Sequence, residues 1–163
     1  MNRISLKRLA LALALSAAIG AVQAGDGAPD LSKVNGSLVA EAGRTYGNID
    51  TVNGNIKLLA LTVGGGVETF NGNITIGEDT VIGGNVTVKK PSNWGMSWGK
   101  PKVPRIVLGP NSTVKGNLVF EREVELYVHS TAKYGKIIYL EAEAGKAEAL
   151  KPVVFTGKEP DFK

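Results

Sequence analysis

Cysteine is absent from the 163-residue chain, which excludes disulfides, thiol nucleophiles, thiolate metal sites and a lipidated N-terminal cysteine. A single histidine, His129, excludes a multi-histidine metal centre built within one chain. Aromatic residues make up 6% of the chain, too few for a core of large rings. No phosphate-binding loop of the Walker or Rossmann type is present, and the carboxylates are scattered too evenly to nominate a glycosidase pair. Glycine, by contrast, is plentiful, with 21 residues. The length suits one domain.

Residues 1–24 have the layout of a secretory signal peptide. Arg3, Lys7 and Arg8 form a basic start, Leu9 to Ile19 is an apolar run, and Val22 and Ala24 precede a cut at Gly25. The alternative is an uncleaved membrane anchor, but the apolar run is short for a span and ends in small residues. No Arg-Arg pair is present, so the general export route is expected, with a periplasmic or otherwise exported, unlipidated product. Loss of this leader lowers the formal net charge from +4 to +1, because it carries three cations and no acid. The basic balance is therefore mostly the leader and not a nucleic-acid signature. No other stretch is long and apolar enough to span a bilayer.

The remainder is repetitive. Val34-Asn35-Gly36 recurs as Val52-Asn53-Gly54 and Phe70-Asn71-Gly72, 18 residues apart each time. Leu38, Ile56 and Ile74 keep the register, as do Ala40, Leu58 and Ile76. Thr45, Val63 and Val81 suggest a further column, and Val88 an extension of the Val34, Val52, Phe70 column. The stretch from Ile74 to Val88 then reappears as Ile106 to Phe120 at an offset of 32, one period plus an insertion of 14. A fainter echo relates Ser112–Lys115 to Ser130–Lys133. Short alternating apolar runs read as strands, and the Gly and Asn-Gly punctuation reads as tight corners. The fold class expected is all-β, a single-stranded parallel β-helix of about six 18-residue coils with one inserted loop. Residues 25–30 are a linker, 31–157 the β-helix and 158–163 a mobile terminus. Asn35, Asn53 and Asn71 suit corners and are placed to stack as a hydrogen-bonded ladder.

The insertion, residues 89–105, holds both tryptophans, Trp94 and Trp98, with Met96 and three prolines. It carries Lys89, Lys90, Lys100, Lys102 and Arg105 and no acid. Insertions from a solenoid lie on one face and often bind. Two tryptophans among cations suit sugar stacking, a membrane interface or an anionic polymer. The alternative is that the rings cover a flank of the solenoid. A third use is docking on the acidic C-terminal region of another copy. The candidate binding residues are thus Trp94, Trp98, Lys89, Lys90, Lys100, Lys102 and Arg105. No catalytic residue, metal ligand or cofactor is expected.

Glu121, Glu123 and Glu125 alternate with Arg122, Val124 and Leu126, the pattern of a strand with an acidic outer face; a cation site is the lesser reading. Residues 141–151 suit a short helix or a last irregular coil. Ile76-Gly77-Glu78-Asp79-Thr80-Val81 and Leu108-Gly109-Pro110-Asn111-Ser112-Thr113 resemble hexapeptide repeats. That resemblance implies a left-handed β-helix acyltransferase using coenzyme A, with His129 as base. An exported chain would not meet acyl-coenzyme A, so this is the enzyme-class alternative.

At the repeat itself, Val52-Asn-Gly-Asn-Ile56, Phe70-Asn-Gly-Asn-Ile74, Ile82-Gly-Gly-Asn-Val-Thr-Val88, Val114-Lys-Gly-Asn-Leu118 and the Gly135-Lys-Ile137 segment resemble the coils of the bactofilin type of polymer-forming protein. The resemblance covers about 31–140. It implies a compact β-helix that polymerises end to end without nucleotide. That family is typically cytoplasmic and lacks such an insertion, so the leader and the tryptophan-rich loop shift the expected role to the cell envelope. An open β-helix end is a row of unpaired backbone groups, and residues 25–33 are too polar and short to cap the N-terminal one. The function expected is an exported, non-enzymatic structural or scaffolding protein of the cell envelope, a homo-oligomer or polymer. The alternative is a module for a cell-envelope glycan or anionic polymer; no nucleic acid is expected as partner.

Overall fold

The computed structural model describes residues 27–90, 102–140 and 151–162. These residues hold sixteen strands in three parallel sheets, numbered here in chain order, and no helix. Sheet A stacks β1 (Leu31–Asn35), β4 (Ile49–Asn53), β7 (Val67–Asn71), β10 (Val86–Val88), β13 (Leu118–Phe120) and β15 (Ile137–Tyr139). Sheet B stacks β2 (Leu38–Val39), β5 (Ile56–Leu58), β8 (Ile74–Ile76), β11 (Arg105–Leu108), β14 (Glu125–His129) and β16 (Val153–Phe155). Sheet C stacks β3 (Thr45–Tyr46), β6 (Thr62–Val63), β9 (Val81–Ile82) and β12 (Thr113–Val114). The chain visits A, B and C in turn, which makes a parallel β-solenoid rising ~4.8 Å per coil. It completes about five turns instead of six, because β16 is reached without a further strand in sheet C.

Period-2 alternation decides which side chains face in. Leu38, Ile56, Ile74, Ile106 and Leu126 pair in register along sheet B and are all buried. Ile49, Val67, Val86 and Leu118 do the same along sheet A, and Tyr46, Val63, Ile82 and Val114 along sheet C. Like stacks on like, so the core is a bundle of aliphatic columns, and β-branched side chains fill it well.

Three sequence expectations need correction. Val63 stacks on Ile82 and Thr62 on Val81, so the Thr45, Val63, Val81 column slips by one. The second coil is one residue short at its B–C corner, between Leu58 and Thr62, and the first is short at its C–A corner, between Tyr46 and Ile49. Corners absorb a residue while the 18-residue sum is kept. Val88 stacks on Thr69, not Phe70, and is fully buried, whereas Val34 and Val52 face solvent. The echo at Ser130–Lys133 is likewise offset, because Thr113 bridges to Lys133.

The two ends differ. At the N-terminal end β1, β2 and β3 are the end strands of their sheets and β1 is largely exposed, yet the inward side chains of the coil they begin are covered. Leu38, Ala40 and Tyr46 in the first coil are only 6–7% exposed. The Tyr46 hydroxyl accepts a hydrogen bond from the Glu41 backbone N–H, 3.1 Å away. Lys33 occupies the inward row below Thr51, and its ammonium donates to the Ser37 carbonyl. Lys33 is itself exposed, and a lysine on an edge strand is one way that natural sheets blunt that edge. At the other end, Val154 continues the inward row of Leu58, Ile76, Leu108 and Val128, yet it is 63% exposed because nothing described stacks on it. Val153 and Leu140 beside it are also exposed.

Residues 158–162, expected to trail off, lie on the outer face of sheet B. Pro160 is buried, and Phe162 meets Tyr127 edge to face at 5.1 Å. Residues 1–26, 91–101 and 141–150 lie outside the described residues, so the leader, most of the insertion and the 141–151 helix-or-coil segment have no structural account here.

Candidate functional site

The corner between sheets A and B carries the densest polar chemistry of the described residues. Its repeating unit is Asn-Gly-Asn, preceded in the first coil by Asn35-Gly36-Ser37. Asn71 Nδ2 donates to Asn53 Oδ1 at 3.1 Å, and Asn53 Nδ2 donates to Asn35 Oδ1 at 3.2 Å, so the expected ladder exists. A second row works differently. The Asn73 backbone N–H donates to Asn55 Oδ1, and the Arg105 backbone N–H donates to Asn73 Oδ1, each at 2.9 Å. A backbone N–H can only donate, so the side-chain atom facing it must be the oxygen. The glycines between the rows form the floor. A Cβ on Gly72 would collide with the Gly54 carbonyl below, so only glycine fits there.

The ladder stops where the insertion leaves. Counting on from the Val88–Thr69 and Val88–Phe120 pairs puts Lys90 above Asn71, and Arg122 above Lys90. Arg122 is 1% exposed. Its guanidinium donates to the Phe70 carbonyl at 3.2 Å, to Asn71 Oδ1 at 3.1 Å and to the Lys102 carbonyl at 2.8 Å. A long, permanently charged arm thus spans the rung where the ladder lapses and pins the returning root of the insertion. The sequence placed Arg122 in the inward register of Val124 and Leu126, which was the available signal. Residues 121–122 are nevertheless a bend and 123–124 irregular, and of the three glutamates only Glu125 lies in a strand.

The seven proposed binding residues do not form one group. Trp94, Trp98 and Lys100 lie outside the described residues. Lys89 pairs with Glu68 at 3.4 Å, and the Lys90 backbone N–H donates to Glu121. Arg105 turns to the outer face of sheet B, where it pairs with Glu125 at 3.1 Å and lies 4.0 Å from the Phe162 ring centroid. Lys102 is exposed and lines a cavity of about 380 Å³ with Asn55, Asn71, Gly72, Asn73, Val103 and Pro104. Of the seven, Arg105 reaches the asparagine rows through its backbone N–H and Lys102 through the cavity, and nothing in the spacing signalled that Lys102 would meet them.

His129 is buried at 8% exposure, and its Nδ1 accepts the Thr131 backbone N–H at 3.1 Å. Nδ1 also lies 2.8 Å from the Thr131 hydroxyl, and the ring packs edge to face on Phe155 at 5.1 Å. No carboxylate bonds to it among the described residues. Those residues also hold no group of three potential metal ligands from His, Cys, Asp and Glu, and no helix long and apolar enough to cross a membrane.

Fold and corner together define a parallel β-solenoid with an asparagine-lined edge and a pinned insertion. Comparison with protein-family models, curated proteins and solved structures returned no match.

Proposed function

We propose that the protein is an exported, non-enzymatic structural element of the cell envelope that associates with further copies through the C-terminal end of its solenoid. The observation that carries this is the contrast between the ends. β15 and β16 are last in their sheets among the described residues, and Val154, which continues a core column, is solvent-facing, while Ile137 and Tyr139 are half-buried. Bare strand edges beside apolar surface are pairing templates, and solenoids that stay monomeric normally cover them. The leader-like residues 1–24 support export, and the resemblance to polymer-forming coils points the same way.

Light scattering across a concentration series tests this reading. The wild-type protein is expected to grow in mass with concentration, and Val154→Lys to remain monomeric with its β-rich circular dichroism spectrum intact. A wild-type protein that stays monomeric at high concentration would overturn the proposal.

A second reading has its own observation. Lys102, the root of the tryptophan-rich insertion, opens onto the asparagine-lined cavity, which favours a module that binds an envelope glycan or anionic polymer. The acyltransferase alternative has the least support, because the His129 nitrogen Nδ1 is already engaged by backbone.

A further inference from the structure

We propose that the cavity at the A–B corner is an oxyanion site, and that its ligand is a phosphate or carboxylate group carried on an extended, non-nucleic polymer. The inference rests on the second reading above but places recognition on the solenoid instead of on the tryptophans. The asparagine bonding pattern is what leads here. Asn55 and Asn73 each commit Oδ1 to a backbone N–H of the coil above. What each has left is its Nδ2 amide, two N–H donors with no partner among the described residues. The second N–H of Asn71 Nδ2 is similarly spare, since that nitrogen makes one bond, to Asn53. Lys102 adds an ammonium group.

Among the described residues no carboxylate lines the cavity. The acids on neighbouring strands are matched elsewhere, Glu68 with Lys89 and Glu125 with Arg105. The site therefore presents donors and one positive charge with no competing anion, the complement of an oxyanion.

The floor favours a chain over a free ion. Gly36, Gly54 and Gly72 stack along the corner, with Asn35, Asn53 and Asn71 on one side and Ser37, Asn55 and Asn73 on the other. The polar row thus runs on below the cavity to the first coil, at ~4.8 Å per coil. An extended polymer can follow it, with one anionic group seated against Lys102. Nucleic acid is disfavoured because no aromatic ring among the described residues lines the cavity for base stacking.

Asparagine-to-aspartate substitution separates this from a purely structural role. Asn73→Asp still offers an oxygen to the Arg105 N–H but replaces the donor with a negative charge. Titration calorimetry at low salt, with poly(glycerol phosphate), polygalacturonate, inorganic phosphate and single-stranded DNA as probes, provides the readout. One of the two anionic polymers is expected to bind at least tenfold more tightly per anionic group than inorganic phosphate, and to weaken as salt rises. Whichever does so names the group as phosphate or carboxylate. Asn73→Asp is expected to cost at least tenfold in that affinity and Lys102→Gln severalfold, with melting temperatures close to wild type. Trp94→Ala/Trp98→Ala is expected to retain binding.

Equal binding by wild type and Asn73→Asp would overturn the proposal, as would tighter binding of DNA or of free phosphate, or no binding of any probe. Loss of binding in the tryptophan variant with Asn73→Asp unaffected would return recognition to the insertion and remove it from the cavity, leaving the wider anionic-polymer reading in place.

Discussion

The lower and upper halves of the solenoid hold the same corner with different chemistry. Below the insertion, three neutral asparagines hand one hydrogen bond from coil to coil. Above it, one buried guanidinium reaches past the interrupted rung to Asn71, Phe70 and Lys102. A ladder needs an unbroken repeat, because each amide is both donor and acceptor to its neighbours. Once a coil diverges into a long loop, only a side chain with several donors on a long stem can close the gap. The inner row of sheet A changes in parallel, from Lys33, Thr51 and Thr69 below to Val88, Phe120 and Tyr139 above.

Arg122→Met is the strongest way to break that contrast. It strips partners from two carbonyls and the end of the ladder, and Met has no donor to replace them. We expect a loss of about 3–5 kcal/mol, read as a lower denaturant midpoint at unchanged slope. A cost below about 1 kcal/mol would mean that the upper corner is held by something other than Arg122.

The row of Lys33, Thr51 and Thr69 sharpens the comparison in the opposite direction. Thr51 and Thr69 are at most 1% exposed, and neither hydroxyl has a hydrogen-bond partner among the described residues. Replacing either with Val removes an unpaired polar atom and keeps the branched shape that the apolar upper row already uses. Each substitution should gain about 1 kcal/mol in chemical denaturation. Destabilisation by Thr51→Val would show that the polar lower row is not a simple extension of the core columns.

Asn53→Ala probes the ladder at its middle rung, where one side chain bonds both above and below. These are exposed, neutral hydrogen bonds, so the expected loss is about 0.5–1 kcal/mol. That is several times smaller than for Arg122, and comparable losses would erase the distinction between a shared ladder and a single pin.

The architecture was legible because repetition is a one-dimensional property: like residues at a fixed spacing must occupy like positions in a solenoid. Leu38, Ile56 and Ile74, the 32-residue offset, and the asparagine ladder all follow from spacing. The slips arose where corners changed length, since the loss of one residue between Leu58 and Thr62 is hidden when the 18-residue total is conserved. Arg122 was in view as an inward position, but its partners lie 51 and 52 residues back and 20 residues back, outside any local pattern. The same holds for the cavity, because Lys102 meets Asn55 and Asn73 only after the insertion has returned. The capping of the first coil by Tyr46 and Lys33 was missed for a simpler reason. A cap was sought in the residues before the first strand, whereas it is built from side chains within that coil.

The smallest effect tests whether corners, like rows, differ between coils. At the B–C corner, Gly43, Ala60, Asp79 and Asn111 all have positive φ, between 51° and 75°. Gly has no Cβ to clash in this region, and Asp and Asn tolerate it through local side-chain bonding. Ala60 has neither advantage, and it sits in the coil whose B–C corner is one residue short. A tighter corner has fewer ways to turn, so the strain falls on the one residue type unsuited to it. Ala60→Gly relieves the Cβ clash at the cost of a more flexible unfolded chain, leaving a net gain of about 0.5 kcal/mol, or roughly 1–2 °C in melting temperature. Were Ala60→Gly to melt below the wild type, the short corner would not be strained at Ala60, and the missing residue would have to be accommodated elsewhere in the coil.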